Sequence, residues 1–119
     1  MRASIVVAAA AGIILITGSA QAWERLHTEA EYRARVVGHR TSVGDRGHVT
    51  VHPDGTVTGV WGGQPVVGAW TWDGGYYCRN LRIGSTETGT NCQRIEVQGN
   101  QIRSTNDRGN GSSMVGQLD

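Results

Sequence analysis

The sequence predicts a mainly β fold: an antiparallel meander forming a small barrel or a strongly curved sheet, with one short helix at its N-terminal side. From Gly38 onward, short runs rich in Val, Ile, Thr, Trp and Tyr alternate in polarity. Turn residues (Gly, Asn, Asp, Pro) cut these runs at the spacing of about 8–12 residues expected of small all-β domains. Only one stretch, Trp23 to Val37, carries apolar residues at helical spacing. A row of short strands favours closure, because a closed barrel leaves no unpaired edge.

Residues 1–22 read as a secretory signal and stand outside the fold. Arg2 supplies the positive start, Ile5 to Ile16 an uncharged apolar run, and Ala20-Gln21-Ala22 a small-residue cleavage site. The 12-residue run is too short to span a bilayer. The whole uncharged stretch Ala3 to Ala22 is 20 residues, which leaves an uncleaved anchor as the alternative. Residues 23–119 then form a single domain, able to bury one modest core. The expected product is periplasmic or secreted and monomeric, and meets the membrane only through the signal segment.

In chain order, Trp23 to Val37 is the helical candidate, with Leu26, Ala30, Ala34 and Val37 on its apolar face and Gly38 as its stop. Val49 and Val51 alternate with His48, Thr50 and His52, and Pro53-Asp54-Gly55 is a turn. Thr56 to Trp61, Gln64 to Trp72 and Tyr76 to Ile83 follow as strands, separated by Gly62-Gly63 and Asp73-Gly74-Gly75. Gly84 to Gly89 reads as a loop, and Asn91 to Val97 and Gln101 to Thr105 as strands around Gly99-Asn100. Asn106 to Gly111 is a loop and Ser113 to Leu118 a last strand, giving six or seven in all.

The chain has two cysteines, Cys78 and Cys92, and an even pair in an exported protein reads as a disulfide. Period-2 alternation supports it independently. If Tyr77, Leu81 and Ile83 face the core, Cys78 faces outward. If Ile95 and Val97 face the core, so does Cys92, and the two meet across neighbouring strands.

There are eleven Arg, no Lys and ten acids. Without Arg2 the charge balances. No basic run or face marks a nucleic-acid or anionic-membrane surface. The sequence contains no G-x-S-x-G, H-E-x-x-H or C-x-x-C, and its glycines form no nucleotide loop. No cofactor is called for, and no catalytic residue is nominated. His27, His39, His48 and His52 suggest no metal site, because His48 and His52 lie about 13 Å apart along one strand face.

Four residues stand out as ligand-binding candidates. Arg79 falls on the inner face between Tyr77 and Leu81, where an unpaired guanidinium is costly. It needs a carboxylate such as Asp73, Glu87 or Asp107, backbone carbonyls, or an anionic ligand. Trp61, Trp70 and Tyr77, with Trp72, form an inner aromatic set that either walls a cavity or fills a core lacking Phe.

The segments D-G-T-V-T-G (54–59), V-G-A-W-T-W-D-G-G-Y-Y-C-R (67–79), N-C-Q-R (91–94) and N-D-R-G-N-G (106–111) resemble a family of small exported bacterial β-domain proteins of unsettled function. Some members bear the name dihydrodipicolinate reductase. That name implies a cytoplasmic Rossmann enzyme more than twice as long, whereas A-A-A-A-G (8–12) here belongs to the signal. Gly59-Val60-Trp61 and Gly68-Ala69-Trp70 are also similar to the G-x-W strand of calycin-type barrels, which include exported metalloprotease inhibitors. The calycin likeness implies a non-enzymatic binding module for a small ligand or a protein partner, and the signal segment implies its export. One alternative is an inhibitor or envelope-interaction protein that uses exposed loops and the N-terminal segment as its contact surface. Another is an enzyme of unknown reaction.

Overall fold

The computed structural model describes residues 22–119. The signal segment is expected over residues 1–22, and 1–21 of it lie outside the described residues. Among the described residues nine strands and one helix of more than a single turn make up the fold, β1 (Glu24–Arg25), α1 (Glu29–Arg35), β2 (Arg40–Val43), β3 (Gly47–Val51), β4 (Thr56–Trp61), β5 (Gln64–Asp73), β6 (Tyr76–Ile83), β7 (Thr86–Gln98), β8 (Gln101–Thr105) and β9 (Ser113–Leu118), with single helical turns at Gly44–Arg46 and Asn106–Gly109. Each of β2 to β9 pairs antiparallel with the next, and β9 returns to β2 through Thr41–Leu118 and Ser42–Gln117. The result is a closed eight-stranded barrel. β1 is the extra strand, paired with Val97 and Glu96 of β7 beyond the point where β6 ends.

The alternation of side chains sets the barrel's inside. Val51, Val57, Val66, Trp70, Tyr77, Ile95, Val97 and Ile102 are buried. Inward positions of several strands hold Val or Gly, so the interior is not filled to its axis. Gly59 belongs to this set for a second reason. A Cβ there would collide with the His48 carbonyl oxygen, so only glycine allows β3 and β4 to approach so closely. At the β4–β5 hairpin, Gly62 and Gly63 have φ of 56° and 76°. Two successive left-handed residues are what a tight two-residue turn between twisted strands needs.

The N-terminal segment departs from expectation. Trp23 to Val37 is not one helix: Glu24–Arg25 extends as β1, and only Glu29–Arg35 is helical. Thr28 starts the helix by accepting a hydrogen bond from the Glu31 amide, and its hydroxyl donates to the Glu31 carboxylate. The buried face is also rotated. Ala30 and Ala34 are exposed, and Tyr32 and Val36 are buried instead. The larger side chains bury more apolar area and set the orientation.

Two further features of the strands go beyond the expected pattern. Arg40–Val43 is a strand with only one strongly apolar residue, formed because β3 and β9 both pair with it. Strand β7 begins at Thr86, inside the expected loop 84–89. A bulge between Asn80 and Arg82 resets the register there. The Thr88 hydroxyl accepts from the Leu81 amide at 3.1 Å, supplying a bond the ladder lacks.

Cys78 and Cys92 are direct cross-strand partners on β6 and β7 and are joined by a disulfide. Both face away from the lumen, as the alternation predicts. No helix among the described residues is long and apolar enough to cross a membrane.

Candidate functional site

Helix α1 lies across one end of the barrel and delivers Tyr32 to its axis. Tyr32 is 1% exposed. Its ring stacks on Trp72 and Tyr77 at centroid distances of 5.1 and 5.2 Å and meets Trp70 edge-on at 5.5 Å. Leu26, Ile95, Val97 and Ile102 belong to the same buried cluster and complete the floor. Above this aromatic floor the barrel stays open as a lumen of about 280 Å³. The apolar wall is built by Val49, Val57, Val66, Leu81, Ile83 and Trp61. Exposed Thr88, Ser112 and Met114 line its outer end.

Three of the four residues singled out in the sequence come together here: Trp61, Tyr77 and Arg79 all line the lumen. Trp70 does not. Its indole N–H donates to the His52 carbonyl at 2.8 Å, and its ring is held between Tyr32 and the Arg33 guanidinium. It is part of the floor, as is the half-buried Trp72.

Arg79 is half-buried and forms no hydrogen bond or ion pair with any described residue. The carboxylates considered as its partners are placed elsewhere. Glu87 faces Arg82 at 3.8 Å, Asp107 accepts from the Asn91 amide at 2.9 Å, and Asp73 is exposed at the end of β5. The guanidinium therefore reaches the lumen uncompensated.

Two phenols that line the lumen with it, Tyr77 and Tyr32, are neutral donors. Burial raises the Tyr77 hydroxyl well above its ordinary value, and the nearby Arg79 charge only partly opposes this. Burial also raises the Tyr32 hydroxyl well above its ordinary value, with Tyr77 adding to the effect. Neither hydroxyl has a hydrogen-bond partner among the described residues. Tyr32 is not among the four candidates that the sequence singles out. The signal was present in the Tyr32–Val36 spacing and the Thr28–Glu31 cap, which together fix where the helix starts and what it buries.

The loop 106–112 edges the lumen. Asp107 and Arg108 both adopt left-handed φ, 54° and 52°. The Asp107 amide and carboxylate bond reciprocally with the Asn91 side chain, and the Gln93 amide donates to Asn106 at 2.7 Å. Two inward amides of β7 thus hold the loop against the barrel rim.

No protein-family model matches the chain, and neither a curated protein nor a solved structure matches it. The N-terminal segment is not a free contact arm. Leu26 is 1% exposed, its amide donates to the Ile95 carbonyl, and the Arg103 guanidinium lies 4.4 Å from the Trp23 ring centroid. Among the described residues no three His, Cys, Asp or Glu side chains converge as a metal site would require.

Proposed function

We propose that this protein is an exported, non-enzymatic binding module of calycin-like type whose barrel holds one small ligand. The observation that carries the reading is the lumen itself. Small eight-stranded barrels have interiors that side chains can fill completely. Here Val and Gly at inward positions leave about 280 Å³ above the aromatic floor. Ligand pockets combine an apolar wall with a few convergent polar groups and run from about 300 Å³ upward; the lumen lies just under that range, which suits only a small occupant. Arg79, Tyr77 and Trp61 are the residues we assign to it.

Export rests on the signal-like segment 1–22 and on the Cys78–Cys92 disulfide, a bond that persists in oxidising compartments. The motif resemblance to small exported bacterial β-domain proteins points the same way. The burial of Leu26 and the packing of Trp23 weigh against an inhibitor that works through a free N-terminal arm.

Native mass spectrometry on the protein secreted with its own signal tests the reading. The expected native mass exceeds the denatured mass by one small molecule, whose value names its class. A bare native mass, in protein that also takes up no apolar dye into its lumen, refutes the ligand reading and redirects attention to a protein partner.

A further inference from the structure

The lumen's charge balance narrows what it can hold. Among its lining residues Arg79 is the only charged one, and no Asp or Glu reaches it. Glu96, the best-shielded carboxylate of the neighbouring strands, is spent on Arg103 and Arg94 at 2.8 and 3.2 Å. Arg79 itself has no partner among the described residues. A neutral apolar occupant would displace water from that guanidinium and leave it desolvated and unpaired, which is costly. A cationic occupant would add repulsion. An anion removes the cost and gains charge-assisted hydrogen bonds.

We infer that the lumen takes a small monoanionic amphiphile, a carboxylate with a short apolar tail; the inference rests on the lumen being the ligand site. The carboxylate sits on the Arg79 guanidinium, with the neutral Tyr77 and Tyr32 hydroxyls as additional donors. The tail lies along Leu81, Ile83 and Trp61 toward the outer end. One guanidinium balances one negative charge, so a dianionic headgroup would bring a second charge that nothing in the lining meets. The volume of about 280 Å³ favours a chain much shorter than a membrane lipid's.

A matched series tests this on the intact disulfide-bonded protein: octanoate, octan-1-ol and octylammonium, each displacing a neutral apolar dye at neutral pH. Octanoate is expected to bind at least about tenfold tighter than octanol, the least that a charge-assisted hydrogen bond contributes. Octylammonium is expected to be weakest. Arg79→Met should bring octanoate to the level of octanol without weakening octanol. Arg79→Lys, which keeps the charge, should retain part of the preference even if the methionine variant fails to fold. The preference should also fade as acid protonates the ligand carboxylate, near pH 4 to 5 by analogy with Glu. Inorganic phosphate, an anion without a tail, should not compete, and strong competition by it would overturn the amphiphile assignment. Equal binding of octanol and octanoate overturns the anion inference and leaves the ligand reading standing. Failure of all three ligands and of the dye overturns both.

Discussion

Replacing Tyr32 separates the two roles assigned to it. Its ring is buried to 1% and touches three aromatic rings, so Tyr32→Ala removes the centre of the barrel floor. Truncating a buried aromatic costs about 3–5 kcal/mol, the range for Phe or Trp to Ala. In a domain of this size each kcal/mol lowers the melting temperature by about 4–8 °C, so a loss of at least about 12 °C is expected. Tyr32→Phe is different. The hydroxyl bonds to no described residue, so its removal breaks no internal hydrogen bond, and stability should stay within about 0.5 kcal/mol. Urea unfolding followed by tryptophan fluorescence and by circular dichroism reads both variants. Two results refute the reasoning: a Tyr32→Ala loss below about 1 kcal/mol, or a Tyr32→Phe loss as large as that of Tyr32→Ala.

The disulfide closes a loop with a sequence separation of 14, worth about 3 kcal/mol in the chain-entropy model. Replacing both cysteines by serine should therefore lower the melting temperature by about 12–24 °C, and an unchanged value would contradict this. Gly59→Ala forces a Cβ against the His48 carbonyl, so calorimetry should show a loss of about 1–3 kcal/mol. Glu96 is held below the ordinary carboxylate range, chiefly by its hydrogen bonds from Arg103. A depressed folded-state value stabilises above the unfolded carboxylate's value, near pH 4.3 by the standard Glu reference, and that stability is lost as pH falls through the folded one. Glu96→Gln should flatten the fall in melting temperature on acidification below about pH 5, and an unchanged slope would show that this carboxylate contributes nothing.

The strands with strong alternation were legible in the sequence. Thr56–Trp61, Tyr76–Ile83, Gln101–Thr105 and Ser113–Leu118 have the bounds that turn residues and period-2 patterning indicate. The disulfide was legible for the same reason, since alternation places Cys78 and Cys92 on one face of adjacent strands. Arg40–Val43 and the start of β7 at Thr86 were not. Their residues are mostly polar, and what makes them strands is pairing with partners distant in sequence. The helix was misjudged because Ala30 and Ala34 offered a plausible face while the bulkier Tyr32 and Val36 had more area to bury.

The candidate site was partly legible too. Alternation put Arg79, Tyr77 and Trp61 on the inner face, and all three line the lumen. It could not separate Trp70 from them, because floor and wall are distinguished only once α1 is docked. Nor could it show that Glu87 and Asp107 turn to other partners, which depends on the bulge in β7 and on the fold of loop 106–112.

The central claim is that the barrel lumen binds a ligand through Arg79. A crystal structure of the protein grown with 8-bromooctanoate tests it most directly, because anomalous scattering locates the bromine. We expect the carboxylate on the Arg79 guanidinium and the bromine beyond Leu81 toward Trp61. Bromine found only on the outer surface, with Arg79 turned to a protein carboxylate, would contradict the account.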